Sequence, residues 1–225
     1  MFFGSDEMSK FKTVVFDFDG TVADTGAGIF DCVRYAVRME GLEQPDEAEL
    51  RRFIGPPLFD SFKRAYPGIS DEQATQLVCR YREKYSEDGI YNFKLYDGML
   101  GLLEAIKAAG LKTAIGSSKP EHFIKRILES ADLGKYFDVA AGSTPGVQED
   151  TKFSIITDAL ARLNVTDLDG VLMIGDRKFD VEGAHKVGIP CAAVLFGYGN
   201  EAEFKEYNAD YIVKNCEELK EIILG

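Results

Sequence analysis

Six short apolar runs recur along the chain with helix-length stretches between most of them, and this alternation leaves few folds open. The runs are Lys12–Asp17 (KTVVFD), Lys112–Gly116, Phe137–Ala141, Val171–Gly175, Cys191–Phe196 and Tyr211–Val213. Short apolar runs rich in β-branched residues predict buried strands. Between them, apolar side chains repeat at helical spacing. Leu100, Leu103, Ile106 and Lys107 precede Gly110, Phe123, Ile127 and Leu128 form a second stripe, and Ile155, Ile156, Ala159, Leu160 and Leu163 a third. Strands alternating with helices of this length predict an α/β fold with a doubly wound parallel sheet.

From about Thr25 to Tyr96 the alternation stops. Ile29, Phe30, Val33 and Val37, followed by Gly41, predict one amphipathic helix, and Ala74, Leu77, Val78, Tyr81 and Tyr85 another, opened by Ser70-Asp71-Glu72. Pro56-Pro57 and Pro67-Gly68 punctuate shorter helices between them. The expected organisation is an α/β core of residues 1–24 and 97–225 with an all-helical insertion, 25–96. The stripes read as packing surfaces.

Thirty-eight acidic against 26 basic side chains give a net charge of −12, which opposes sequence-independent binding to nucleic acid. The same surface repels anionic metabolites, so a phosphate site needs a local reversal of sign by metal or lysine. Cys32, Cys79, Cys191 and Cys216 are scattered without a C-x-x-C, which argues against a zinc site or a disulfide framework and fits a reducing compartment. No apolar run approaches membrane-spanning length. Residues 1–12 (MFFGSDEMSKFK) read as a short disordered leader, with Met8 as an alternative start, and the expected location is cytoplasmic.

The chemistry-bearing residues fall after the predicted strands. Asp17-Phe18-Asp19-Gly20-Thr21 follows the first, and Asp176 and Asp180 follow Val171–Gly175. The carboxyl edge of an open α/β sheet is where ligands bind. A D-G turn would account for the first group alone, not for a second acidic pair at an equivalent place. Mg²⁺ favours one or two carboxylates completed by water and phosphate, which Asp17 and Asp176 could supply. Ser117, Ser118 and Lys119 follow Lys112–Gly116, and Lys152 opens the next helix. Each of these alone reads as a solvated cap; their joint placement at successive strand ends reads as a phosphate site.

In this order the motifs resemble those of the haloacid dehalogenase superfamily, in particular its phosphatases with a helical cap and the phosphoglycolate phosphatase-like branch. D-x-D-G-T at Asp17–Thr21 resembles the first motif, Ser117 stands in the second, Lys152 in the third and GDRKFD at Gly175–Asp180 in the fourth. Gly55-Pro56-Pro57-Leu58 resembles the cap loop that selects substrates, with Gly55, Pro56 and the nearby Arg52 as selectivity candidates, and Gly197-Tyr198-Gly199 matches the branch. The resemblance implies a Rossmann-like core and Mg²⁺-dependent hydrolysis of a small phosphorylated metabolite. It assigns Asp17 as nucleophile and metal ligand, and Asp19 as general acid/base whose backbone carbonyl binds the metal. Ser117 and the Ser118 amide would hold phosphoryl oxygens, and Lys152 would also bind phosphate while balancing charge. Asp176 would be a metal ligand, and Asp180 its support or a weaker ligand. Lys119 matches the branch but receives no catalytic role.

Asp19 argues against a dehalogenase, whose leaving halide needs no proton, and against phosphonatases, which also lack the second acid. A phosphosugar mutase shares these motifs and stays open, as does a non-catalytic phosphate-responsive binding module. Gly197-Tyr-Gly199-Asn-Glu-Ala202 fits the dinucleotide spacing G-x-G-x-x-A, but the tail beyond it is short and Glu201 and Glu203 would face a pyrophosphate. His122 and His185 read as surface or packing residues. Arg51, Arg52, Lys63 and Arg64 read as a solvated face, or as a grip on a second anionic group of the substrate.

Overall fold

The computed structural model describes residues 9–144 and 151–225. In chain order these form β1 (Thr13–Phe16), β2 (Ala23–Asp24), α1 (Gly26–Met39), α2 (Glu47–Arg51), α3 (Leu58–Ala65), α4 (Asp71–Glu87), β3 (Lys94–Leu95), α5 (Met99–Ala108), β4 (Lys112–Pro120) and α6 (Glu121–Ser130). They continue with β5 (Val139–Ser143), α7 (Lys152–Arg162), β6 (Val171–Gly175), α8 (Lys178–Val187), β7 (Cys191–Val194), α9 (Glu201–Glu206), β8 (Tyr211–Val213) and α10 (Cys216–Leu224). The described chain divides into two compact units, 9–22 with Leu95–Gly225, and Ala23–Lys94.

The first unit is built on a six-stranded sheet in the order β5-β4-β1-β6-β7-β8. Every neighbouring pair is parallel. Strands covered on both faces need continuous apolar sequence, and β1, β6 and β7 are buried at every position. Val15, Ala114, Ala141, Met173 and Cys191 meet Ile155, Ile156, Ala159 and Leu160 of α7 and Val181 and Ala184 of α8 in one core cluster. Right-handed crossovers put helices on opposite faces when the chain steps in opposite directions along a sheet. The steps β1–β4–β5 therefore set α5 and α6 opposite α7 and α8. The doubly wound α/β fold expected from the alternation is present.

The order reverses at β1, which lies between β4 and β6. Such a reversal opens a crevice beyond the carboxyl ends of the strands, because the flanking crossovers leave on opposite faces. Asp17 sits at that point, its N–H donating to Ile174 across the β1–β6 pair at 2.8 Å.

Several details differ from the sequence reading. Phe11, assigned to a disordered leader, is buried at 3% exposure and meets Tyr211 edge-on, while residues 1–8, including Met8, lie outside the described residues. β5 starts at Val139, because Phe137 leaves the ladder and Asp138 turns back to accept the Thr113 N–H. β4 runs on to Pro120 through a register shift after Ser117. On α5, Leu103 and Ile106 are buried as expected, but Leu100 is 44% exposed and Met99 and Leu102 complete the buried face in its place. Positions 100 and 103 are neighbours on a helix surface, so the stripe was legible but its centre was displaced by about one residue.

The second unit is helical. Ile29, Cys32, Val33, Ala36 and Val37 of α1 are buried, as are Ala74, Leu77, Val78, Tyr81 and Tyr85 of α4, and the two helices pack together. Phe30 is only half-buried. Ser70 and Gln73 form a capping box at the start of α4, each satisfying an amide the helix leaves open. β2 and β3 form a separate two-stranded sheet. No helix among the described residues is long and apolar enough to cross a membrane.

The α5 register is open to a direct check by urea unfolding. Leu102→Ala should destabilise the protein by about 2–5 kcal/mol, whereas Leu100→Ala should stay within about 0.5 kcal/mol of the parent. Equal effects would place the buried stripe wrongly.

Candidate active site

Four adjacent segments of the first unit converge beyond the ends of β1, β4 and β6. β1 delivers Asp17 and, two residues on, Asp19. β6 delivers Asp176 just past its end, and Asp180 lies in the first turn of α8. β4 carries Ser117 and Lys119, and Lys152 is the first residue of α7, behind a Thr151–Ser154 capping box. Asp17, Lys119, Lys152, Asp176 and Asp180 are all buried.

Lys152 sits between two carboxylates. Its Nζ is 3.0 Å from Asp17 Oδ1 and 2.8 Å from Asp180 Oδ1, and it donates to the Gly116 carbonyl at 3.2 Å. Two glycines make room for this arrangement. A Cβ on Gly183 would lie 2.7 Å from Lys152 Cγ, and one on Gly175 would lie 2.2 Å from Asp180 Cγ. Burial opposes the charge on Lys152, but Asp17 and Asp180 outweigh it and hold the ammonium above the ordinary lysine range.

The carboxylates respond in the opposite sense. Burial lifts Asp17 to about 6 against the pull of Lys152 and the Ser117 hydroxyl, with Asp180 and Asp19 adding to the rise. Burial, helped by Asp180 and Asp17, also holds Asp176 well above the usual carboxylate range, although the Tyr198 N–H and Arg177 oppose it. One oxygen from each of Asp17, Asp176 and Asp180 lies within 4.8 Å of the others. Three carboxylates thus face the single ammonium of Lys152, which leaves an excess of negative charge in a buried place.

Asp176 and Asp180 are held differently. Asp180 Oδ2 accepts from the Asp176 and Arg177 amides at 3.1 and 3.0 Å, while its buried Oδ1 has no hydrogen bond of good geometry among the described residues but lies 2.8 Å from the Lys152 ammonium as an ion pair. Asp176 Oδ2 accepts from the Tyr198 N–H at 2.8 Å, but its Oδ1 is buried with no hydrogen-bond partner among the described residues. Leaving a buried carboxylate oxygen without a donor is costly. A cation at the open Oδ1, reached also by Asp17, removes that cost, so the residues present fit a hard divalent metal. Asp180 grips the backbone of Asp176 and Arg177 and also brings an oxygen to the same cluster.

Sequence reasoning did not foresee the part played by Gly197-Tyr198-Gly199. A Cβ on Gly197 would lie 2.4 Å from Asp176 Cβ, and one on Gly199 would lie 2.1 Å from the Asp176 carbonyl oxygen. The run is glycine-rich because it closes on Asp176, and that packing also accounts for its accidental dinucleotide spacing. The six-residue α9 that follows opens on Glu201, and Glu203 holds Arg177 Nε at 3.2 Å and the Lys178 amide at 2.7 Å.

Among the other residues singled out, Ser117 is 2% exposed and hydrogen-bonds Asp17, while the Ser118 side chain is exposed. Lys119 Nζ binds both oxygens of Asp19, at 2.8 and 2.9 Å. His185 pairs with Asp210 at 3.0 Å and His122 is exposed beside Phe123, so neither belongs to this cluster.

The second unit holds Gly55, Pro56 and Arg52. Gly55 has φ of +100°, which a side chain would strain, and the chain turns there before α3. Arg51 pairs with Glu47, Arg52 and Arg64 with Glu49, and Lys63 with Asp71. Within their own unit these cations are engaged by carboxylates, as on a solvated, self-neutralised helix surface.

Comparison with known proteins agrees with this geometry. The chain is 31% identical over 97% of its length to a 5'-nucleotidase of Pseudomonas aeruginosa, of which it covers 98%. It is 32% identical over 94% of its length to the tyrosine-protein kinase PtkA of Mycobacterium tuberculosis, covering 71% of that protein. Over 84% of its length it is 28% identical to a phosphoglycolate phosphatase of Rhodospirillum rubrum, covering 82% of it. A crystal structure of a Clostridium difficile protein taken to be a phosphatase superposes with a TM-score of 0.88 at 39% identity, covering 96% of this chain and 99% of that one. The model of the haloacid dehalogenase-like hydrolases matches residues 14–194, from the first site strand to the strand beyond the last site aspartate. The chain belongs to that family, and is an enzyme of its phosphatase kind.

Proposed function

We propose that this chain hydrolyses small phosphomonoesters with the help of Mg²⁺, through a phosphoryl group carried on Asp17. The observation that supports this reading is the buried array of Asp17, Lys152 and Asp180 beside an Asp176 oxygen that no donor among the described residues satisfies. Phosphoglycolate, nucleoside monophosphates and sugar phosphates are the candidate substrates. Relatives named 5'-nucleotidase and phosphoglycolate phosphatase support that range.

On this reading Asp17 and Asp176, with the backbone carbonyl of Asp19, hold the metal. Bound there, Mg²⁺ supplies positive charge against the phosphoryl oxygens. A carboxylate oxygen of Asp17 attacks phosphorus in line and the bond to the leaving oxygen breaks. Asp19 gives that oxygen a proton as it departs. The carboxylate of Asp19 then takes a proton from water, whose oxygen attacks the same phosphorus, releasing phosphate and restoring Asp17. The Ser117 hydroxyl and Ser118 N–H bind phosphoryl oxygens, and Lys152 offsets the repulsion between the Asp17 carboxylate and its anionic target.

Phosphate release from a substrate panel, with and without Mg²⁺, tests the reading. Asp17→Asn should abolish release while leaving the fold intact. Asp19→Ala should lower kcat by about 10²–10⁴-fold on an alkyl phosphate and far less on an aryl phosphate, whose leaving oxygen needs no proton. Equal losses on the two would remove Asp19 from the acid's role. Conversion of β-glucose 1-phosphate to the 6-phosphate without release would replace hydrolysis by mutase chemistry.

Thermal unfolding tests the metal separately. Asp17 is raised from 3.8 to about 6, so its charge at pH 7 costs the metal-free fold stability, and that loss is recovered as pH falls through 6 toward 4. Mg²⁺ should therefore raise the Tm of the parent protein. Asp176→Asn should be more stable than the parent without metal, by about 1–3 kcal/mol, and should gain nothing from Mg²⁺. An unchanged Mg²⁺ response in Asp176→Asn would take the metal away from this cluster.

A further inference from the structure

Lys119 is built into its place with unusual care for a residue without an assigned role. Ser117 pairs with Gly142 and Pro120 with Ser143, so Ser118 and Lys119 form a bulge in β4 opposite a single step of β5. Bulges of this kind re-aim a side chain. Gly142 permits it, since a Cβ there would lie 2.5 Å from the Lys119 carbonyl oxygen. The Lys119 N–H donates to the Ser117 hydroxyl at 3.3 Å, which ties the bulge to the group that hydrogen-bonds Asp17.

The side chain so aimed is 4% exposed, and its ammonium reaches both oxygens of Asp19, at 2.8 and 2.9 Å. It also lies 5.9 Å from the ring centre of Phe18, which is fully buried and restricts where the ammonium can move. A cation gripping both oxygens restrains the carboxylate's rotation as well as its position.

We propose that Lys119 is a positioning residue for Asp19, gripping both carboxylate oxygens and so setting the orientation in which that group gives its proton to the leaving oxygen. The inference rests on the hydrolytic reading above. It predicts an effect confined to the step that needs the proton, since poor alignment of an acid slows loss of a basic leaving group most.

Kinetics of the full chain with Mg²⁺ test it, comparing an alkyl phosphate with 4-nitrophenyl phosphate. Lys119→Met should lower kcat on the alkyl ester by about 100-fold with KM within about 3-fold, and on the aryl ester by less than about 10-fold. Lys119→Arg, which keeps two-point contact with a carboxylate, should recover part of the loss. Adding Lys119→Met to Asp19→Ala should cost nothing further, because both act through one group. Equal losses on the two esters, a change confined to KM, or an undiminished loss in the Asp19→Ala background would each overturn the proposal. If circular dichroism shows Lys119→Met to be unfolded, Lys119→Gln carries the same comparison. A parent protein that releases no phosphate sinks the hydrolytic reading and this inference with it. An active parent unaffected by Lys119→Met sinks this inference alone.

Discussion

A buried ammonium held between two carboxylates organises the whole site. Lys152 contacts Asp17, just past the end of β1, and Asp180, in the first turn of α8, and its stem passes α8 only because Gly183 has no side chain. Removing the ammonium would leave two buried carboxylates without compensation, which is more costly than losing a surface pair. Buried ion pairs are nonetheless weak sources of stability, because desolvation opposes their attraction.

Around that centre the acids are held differently. Asp180 sets one oxygen against two amides and the other beside the Lys152 ammonium. Asp176, four residues earlier, keeps an oxygen without a donor among the described residues, while Gly197 and Gly199 pack tightly against it. Asp19 is matched to a lysine of its own. The chain as a whole is strongly acidic, yet Lys119 and Lys152 are both buried at the carboxyl edge of the sheet. Low local dielectric strengthens each of those two charges relative to the many solvated ones. Four carboxylates still face these two ammonium groups, so a bound cation would be needed before the site suited an anion.

The cations of the helical unit show the converse. Arg51, Arg52, Lys63 and Arg64 cluster in sequence, but their carboxylate partners lie within the same unit. Exposed pairs of this kind contribute little energy and leave no concentrated field.

Much of the architecture was legible from the chain alone. Continuous apolar runs such as Val171–Gly175 marked strands buried on both faces, and the stripe Ile155–Leu163 marked a helix lying on them, because periodicity reports directly on which side chains avoid water. The ordered motifs around Asp17, Ser117, Lys152 and Asp176 likewise picked out residues that the fold gathers, since parallel strands put successive strand ends on one edge. Local signals failed where long-range contacts decide. The exposure of Leu100, the burial of Phe11 against Tyr211, and the β4 bulge all depend on neighbours distant in sequence. The pairing of Lys119 with Asp19 joins residues a hundred positions apart, and the closure of Gly197–Gly199 on Asp176 spans two strands. No spacing rule encodes such contacts. The sequence determined which groups would gather at one edge of the sheet; the tertiary structure alone decided which charges would compensate one another, because that depends on distance and burial in three dimensions.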